Sequence, residues 1–309
     1  MRFCCFCGSE LFDDERTRFC VACGADLSTY LGFNNNYKNI SSSSVSQGQL
    51  WSFKFSLLIS IVSLILVFLV SYGIIELVII FSRDLAILDN NIFLLAMSIL
   101  EIIFLSVPIL AIGPYLQKPS LKNRFKILGL SLQHSRKYEK HDILKELLIG
   151  IIFAIIALFV VGLISLLMYL IFNGAELSVD DPFTELSILD LVLGIIVMLL
   201  VVGPSEEFLF RGFMQKGLVR SKIGEWGGII IVALFFALIH IIEPVFDLII
   251  GDISLKTFGI TFLSLLMPYL AISFLLGLIF RWRKENLLPV IIMHSLYNTF
   301  ILIITFVAL

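Results

Sequence analysis

Charge is scarce in this chain: Asp, Glu, Lys and Arg make up 15% of its 309 residues, against roughly a quarter in soluble globular domains. The apolar share is 59% and the mean hydropathy +1.02. A soluble enzyme is thereby excluded and no nucleic-acid partner is expected; the class that fits is an all-α, polytopic protein of the cell membrane, with the bilayer as its surroundings. Histidine is rarer still, at four residues, and only His240 and His294 lie inside apolar runs. The first 30 residues lack a basic start followed by an apolar core, so no cleavable signal peptide is expected. No internal repeat is visible. The net charge of -2 says little about partners, whereas the placement of Lys and Arg says much.

Cysteine is confined to residues 4–23. Two C-x-x-C-G knuckles, Cys4 to Gly8 and Cys20 to Gly24, stand twelve residues apart. They supply four thiolates for a tetrahedral zinc, Cys4, Cys7, Cys20 and Cys23, with Cys5 spare. A disulfide pair is the alternative. Cytosolic cysteines more often bind metal, and a unit of roughly 25 residues needs a staple to fold. Four protein ligands close the shell, which makes such a zinc structural. The stretch resembles the short zinc ribbons that open many prokaryotic membrane proteins. Residues 1–27 are read as this ribbon and 28–50, with Asn34 to Asn36 and Ser41 to Ser44, as a flexible tether. The membrane domain then fills 51–309.

Segments of about 20 apolar residues cross the hydrocarbon, and about seven are expected: 55–81, 92–116, 146–172, 187–210, 227–243, 258–280 and 287–308. Basic residues crowd the 117–145 loop (Lys118, Lys122, Arg124, Lys126, Arg136, Lys137, Lys140, Lys145), the 211–226 stretch (Arg211, Lys216, Arg220, Lys222) and 281–286 (Arg281, Arg283, Lys284). The 82–91, 173–186 and 244–257 loops are poor in them. This alternation puts the N-terminus and its thiols in the cytosol and the C-terminus outside. Within the first basic loop, Lys122 to Leu132 reads either as a helix on the lipid surface or as a basic loop that sets topology.

Ionisable groups at membrane depth are costly and mark functional sites. Glu206, Glu207 and Arg211 stand in the otherwise apolar stretch Gly203–Gln215. On a helix Glu207 and Arg211 share a face four residues apart, the acid first, and pair. Glu206 is turned about 100° away and left for other partners. Gly203 and Pro204, just before the glutamates, can break the helix locally, which a membrane tolerates where protein or a water cavity satisfies the backbone. Counting helical rise from Lys216, Trp226 and Asn286 as interface markers puts Glu206, His240 and His294 about 15, 21 and 12 Å deep, a similar layer on three helices. Asn298 follows His294 by one turn, and Phe236 precedes His240 by one turn. A carboxylate in an apolar cavity is a stronger base than in water, and a histidine beside it can orient the same water. A second histidine and an asparagine amide can stabilise an oxyanion. Each group also has a plain structural reading: a helix–helix hydrogen bond for the histidines, an ion pair for Glu207 and Arg211, packing for Asn298. A transporter's proton relay and a catalytic metal are further readings. The metal lacks an H-E-x-x-H motif and needs Glu206 and both histidines to converge from separate helices.

Three ordered motifs carry a resemblance: E-E-x-x-x-R at Glu206, Glu207 and Arg211, F-x-x-x-H at Phe236 to His240, and H-x-x-x-N at His294 to Asn298. With the run Leu276 to Arg281 and Asn286 to Pro289, they resemble the CPBP family, which holds the CaaX prenyl endopeptidases and the bacteriocin-processing and immunity (Abi) proteins. The resemblance covers about 185–305, and no motif position is missing. It implies a glutamate-dependent intramembrane endopeptidase. Glu206 and His240 would activate water, His294 and Asn298 would form the oxyanion side, and Glu207, Arg211 and Phe236 would support them. No catalytic cofactor is expected. The partner is a peptide or protein substrate, lipidated or not; in the prenyl-protein branch it is a three-residue C-terminal peptide after a lipidated cysteine. The alternative is a non-catalytic binding or immunity scaffold of the same fold.

Overall fold

Within hydrocarbon each backbone N–H and C=O must be satisfied by its own segment, and the helix does this for long apolar runs. A computed structural model of the chain describes residues 51–82, 87, 90–116, 119–130, 141–172, 186–251 and 253–308, and the backbone of 2–3 and 10–11. The helices are α1 (Phe53–Ser82), α2 (Asn91–Tyr115), α3 (Leu121–Leu128), α4 (Ile143–Ile171), α5 (Ile188–Val219), α6 (Gly224–His240), α7 (Ile242–Ile250), α8 (Leu255–Trp282) and α9 (Leu287–Ala308). A short antiparallel pairing of β1 (Arg2–Phe3) with β2 (Glu10–Leu11) precedes them. The four candidate zinc ligands, the tether and the loops 131–140 and 173–185 lie outside the described residues.

Among the described residues six helices, α1, α2, α4, α5, α8 and α9, are long and apolar enough to cross a membrane. The fold is that of an all-α polytopic membrane protein, with one fewer full-length span than the sequence leads one to expect. The segment expected at 227–243 is α6, which has 17 residues and stops at His240, a length of about 25 Å. Ile241 leaves helical geometry (φ -117°, ψ 22°) and α7 starts afresh. A second correction concerns 211–226, expected as a basic connection. α5 runs on through Val219, so Arg211, Lys216 and Arg220 are buried, and Lys222 alone of the four is exposed. Lys216 is therefore no interface marker. The Lys122–Leu132 stretch does hold a helix, α3, opened by the Ser120 side chain and closed by Gly129 at φ 111°. Its Ile127 and Leu128 are buried against protein instead of lipid.

Where lipid is as apolar as leucine, helices meet through small and polar faces. α1 shows this as an inside-out pattern: Ser56, Ser60 and Ser63 are buried, while Leu58, Ile61, Ile65 and Leu69 are exposed. Trp51 pins its start, donating from Nε1 to the Phe213 carbonyl (3.3 Å) and stacking on the Phe213 ring at 5.0 Å.

α5 is the helix around which the site is built. Ser187 and Asp190 open it with a reciprocal cap, each side chain accepting from the other's backbone N–H. Two π-helical stretches, Met198–Val202 and Phe208–Gln215, flank the α-helical turn Gly203–Glu207. The chain stays helical at Gly203-Pro204 (Gly203 φ -55°, ψ -50°), and the local irregularity there is the change from π to α geometry. A proline ring collides with the carbonyl four residues back in an α-helix, and the wider π turn before Pro204 relieves that collision. Gly203 also lets α9 close in. A Cβ there would sit 2.1 Å from Ser295 Oγ and 3.0 Å from Ser295 Cα, so any larger residue would push the helix carrying His294 away.

Candidate active site

Neighbouring residues on an α-helical turn point about 100° apart, and Glu206 and Glu207 use that divergence. Glu207 is fully buried. Its Oε1 accepts from Arg211 Nη1 at 2.9 Å and from His294 Nδ1 at 2.7 Å. Arg211, equally buried, also donates from Nη2 to Ser273 Oγ (2.8 Å) and to the Ser273 carbonyl (3.2 Å) on α8. Its guanidinium carbon lies 4.9 Å from the centre of the Phe236 ring, a cation–π contact. The sequence pairs Glu207 with Arg211 alone; the fold gives it a second partner, the ring of His294.

Glu206 faces the other way, toward both histidines. Its Oε1 is 3.7 Å from His240 Nε2 and its Oε2 is 3.5 Å from His294 Nε2. The remaining nitrogens fix the tautomers. His240 Nδ1 lies 3.1 Å from the Phe236 carbonyl, which only accepts, so Nδ1 carries the proton. His294 Nδ1 donates to Glu207. The neutral His240 ring therefore turns its Nε2 lone pair toward the Glu206 carboxylate, whereas His294, its Nδ1 committed to Glu207, presents Nε2 as an acceptor when neutral and as a donor when protonated. These separations are at or beyond hydrogen-bond length and suit a bridging water that donates to both sides.

Phe236 holds the group together. Its ring stacks on His240 (centroids 4.4 Å, 24°), meets His294 edge-on (5.8 Å, 63°) and lies beneath Arg211. Asn298 is half-buried on α9 one turn beyond His294 and makes no hydrogen bond among the described residues, so the Glu–His contacts form without it. Glu206, His240 and His294 do converge from separate helices. Among the described residues, however, no group of three His, Cys, Asp or Glu side chains is spaced to hold a metal ion.

Two neighbours escaped the sequence reading. The Tyr269 ring lies 4.7 Å from that of His240; nothing distinguishes it from other aromatics in an apolar run. Glu101 on α2 ends a turn that packs on the π turn Met198–Val202, just before Glu206. Its signal was present, since it is the one charged residue of an apolar span.

Residues 188–300 match the family model described as Type II CAAX prenyl endopeptidase Rce1-like. No curated protein and no solved structure matches the chain. The matched span starts with α5, ends within α9 and includes each residue of the three motifs, but not Glu101 or the cysteines. That region is thus similar to the CPBP/CaaX membrane proteases, and the match supports that family for a chain with several helices long and apolar enough to cross a membrane.

Proposed function

We propose that the chain is an intramembrane endopeptidase in which Glu206 is the general base. The observation that carries this is the approach of two histidine Nε2 atoms to one buried carboxylate, at 3.7 and 3.5 Å. A water between Glu206 and His240 donates one proton to each, which turns its lone pair toward a substrate carbonyl. Attack forms the C–O bond while Glu206 takes a proton and the carbonyl electron pair moves to oxygen. His294, protonated and backed by the Glu207 carboxylate, donates from Nε2 to that oxyanion, a contact worth about 3–4 kcal/mol. Glu206 then returns its proton to the amide nitrogen as the C–N bond breaks, leaving an acid and an amine. Arg211 pairs with Glu207 and fixes its carboxylate, so His294 holds its orientation. Asn298 serves as the second oxyanion donor once substrate is seated beside α9.

The substrate is a peptide presented from the bilayer, and the family suggests one carrying a prenyl group. The cytosolic ribbon, in which Cys4, Cys7, Cys20 and Cys23 would hold a structural zinc, recruits it. Cleavage of prenylated and unprenylated peptides by the purified protein in liposomes tests both the chemistry and the substrate class. Glu206→Ala and His240→Ala should lower kcat by about 10²–10⁴-fold with the melting temperature retained. Wild-type rates in both variants would favour the non-catalytic scaffold, in which these groups merely join helices.

A further inference from the structure

Glu101 lies outside the family match and outside the three motifs, yet it sits against the catalytic turn. It ends a 3₁₀ turn, Ile99–Glu101, in the middle of α2. That turn packs on the π turn Met198–Val202 of α5, and the next turns of α2 pack on Gly203–Glu207 and Phe208–Gln215. The rings of Phe104 and Phe210 seal this contact at 6.3 Å. Two helices thus depart from α geometry at the same level, where irregular turns commonly accompany functional sites. Glu101 Oε2 is shut off from solvent and has no hydrogen-bond partner among the described residues; Glu206 Oε2 is in the same state. Buried polar atoms rarely go unpaired without a cause.

Charge makes the case sharper. On α2 Glu101 is the sole charged residue, and α1, packed beside it, has none between Lys54 and Glu76. On α5 the facing groups are Glu206, Glu207 and Arg211, and Arg211 is committed to Glu207 and Ser273. Beyond Glu206 stand His240 and His294, whose Nδ1 protons are already in use. Lys216, further along α5, donates to the Ile127 carbonyl and pairs with Glu285. Three carboxyls therefore face one cation in an apolar layer. Like charges there cannot both ionise cheaply, and neighbouring carboxyls titrate as a pair.

We propose that Glu101 is a positioning residue for Glu206, the two carboxyls sharing one proton across the contact between α2 and α5. With the proton on Glu101, its O–H donates to Glu206 and holds that carboxylate ionised and aimed at the water. With both protonated the base is lost; with both ionised their repulsion displaces it. Cleavage then follows the singly protonated pair and shows two limbs against pH. This rests on the catalytic reading of Glu206 above.

The test is the pH dependence of kcat and kcat/KM for wild type, Glu101→Gln and Glu101→Ala, with the prenylated peptide in liposomes. Glutamine keeps a donor but cannot ionise, so the alkaline limb belonging to the pair should vanish. Alanine removes the donor: kcat should fall roughly tenfold or more, KM should barely move, and the acid limb should shift upward. Infrared spectra provide a readout independent of turnover. A protonated-carboxyl C=O band near neutral pH should be lost or displaced in both Glu101→Gln and Glu206→Gln. A Glu101→Gln profile superimposable on wild type, or a carboxyl band unaltered by that substitution, overturns the inference. If Glu206→Ala is inactive while the Glu101→Gln profile is unchanged, this inference alone fails. If Glu206→Ala still cleaves, the catalytic reading itself fails.

Discussion

Two buried ion clusters lie along α5, and they use their carboxylates in opposite ways. Where the ends of α5 and α8 meet the start of α9, Glu285 has cations on both oxygens: Lys216 (3.4 Å) and Arg220 on Oε2, Arg281 (3.3 Å) on Oε1. Close by, Arg283 clasps Glu146 of α4. Acids are outnumbered and fully engaged there. At the layer of Glu206 the balance is reversed, and one oxygen each of Glu101, Glu206 and Glu207 lacks a hydrogen bond among the described residues. A carboxylate with every oxygen occupied works as a joint. One with an idle oxygen has capacity left for a proton, a water or a substrate.

The sharpest break of that contrast is Arg211, which serves both purposes. Arg211→Met leaves Glu207 buried with no cation and should cost about 3–5 kcal/mol, seen as a large fall in melting temperature in detergent. Adding Glu207→Gln should recover most of the stability but not cleavage, since His294 loses the charge behind it. Gly203→Ala comes next. The added methyl forces Ser295 aside; a displacement of about 1 Å at His294 should lower kcat near 10²-fold, with a stability loss of about 1–3 kcal/mol.

Glu285→Gln probes the joint alone, with an expected loss of about 1–3 kcal/mol and catalysis retained in the folded fraction. Burial pushes the Glu285 carboxyl up, but Arg220, Lys216 and Arg281 together outweigh it and hold the carboxyl below its ordinary range. A carboxyl lowered by folding stabilises the protein above its unfolded pKa, about 4.3, and that contribution fades as pH falls through the folded value. Melting curves of wild type and Glu285→Gln should therefore differ most near neutral pH and converge in acid. A gap that widened in acid would contradict the assignment. Smallest of all should be zinc removal. Metal analysis of reduced protein should find one zinc per chain, and chelation should scarcely alter cleavage of a short peptide; zero zinc would sink the ribbon reading.

Much of this contrast can be read before folding. The apolar spans, the pairing of Glu207 with Arg211 and the placing of Glu206, His240 and His294 on separate helices follow from hydropathy and helical period, but the depth of Glu206 does not, because Lys216, from which it is counted, is buried. What could not be read depends on contacts between distant segments. Lys216 and Arg220 look like loop cations until Glu285, 65 or more residues on, buries them. The bond from His294 to Glu207 spans 87 residues. The π turns leave no mark in composition, because they change hydrogen-bond register without changing which residues are apolar. Glu101 was overlooked for a different reason: it belongs to none of the three motifs.

Trp51 has a mechanical consequence. α1 turns its small serines inward and its leucines outward, so most of its length slides against neighbours with little to grip. The indole, wedged against Phe213 and bonded to its carbonyl, is the fastening. Any tension transmitted through the first 50 residues, as when a tethered cargo pulls, enters the bundle at Trp51. It reaches α5 at Phe213, two residues after Arg211, and α2 through the edge contact of the indole with Tyr115, so both helices bearing the buried carboxyls Glu101 and Glu206 are loaded together.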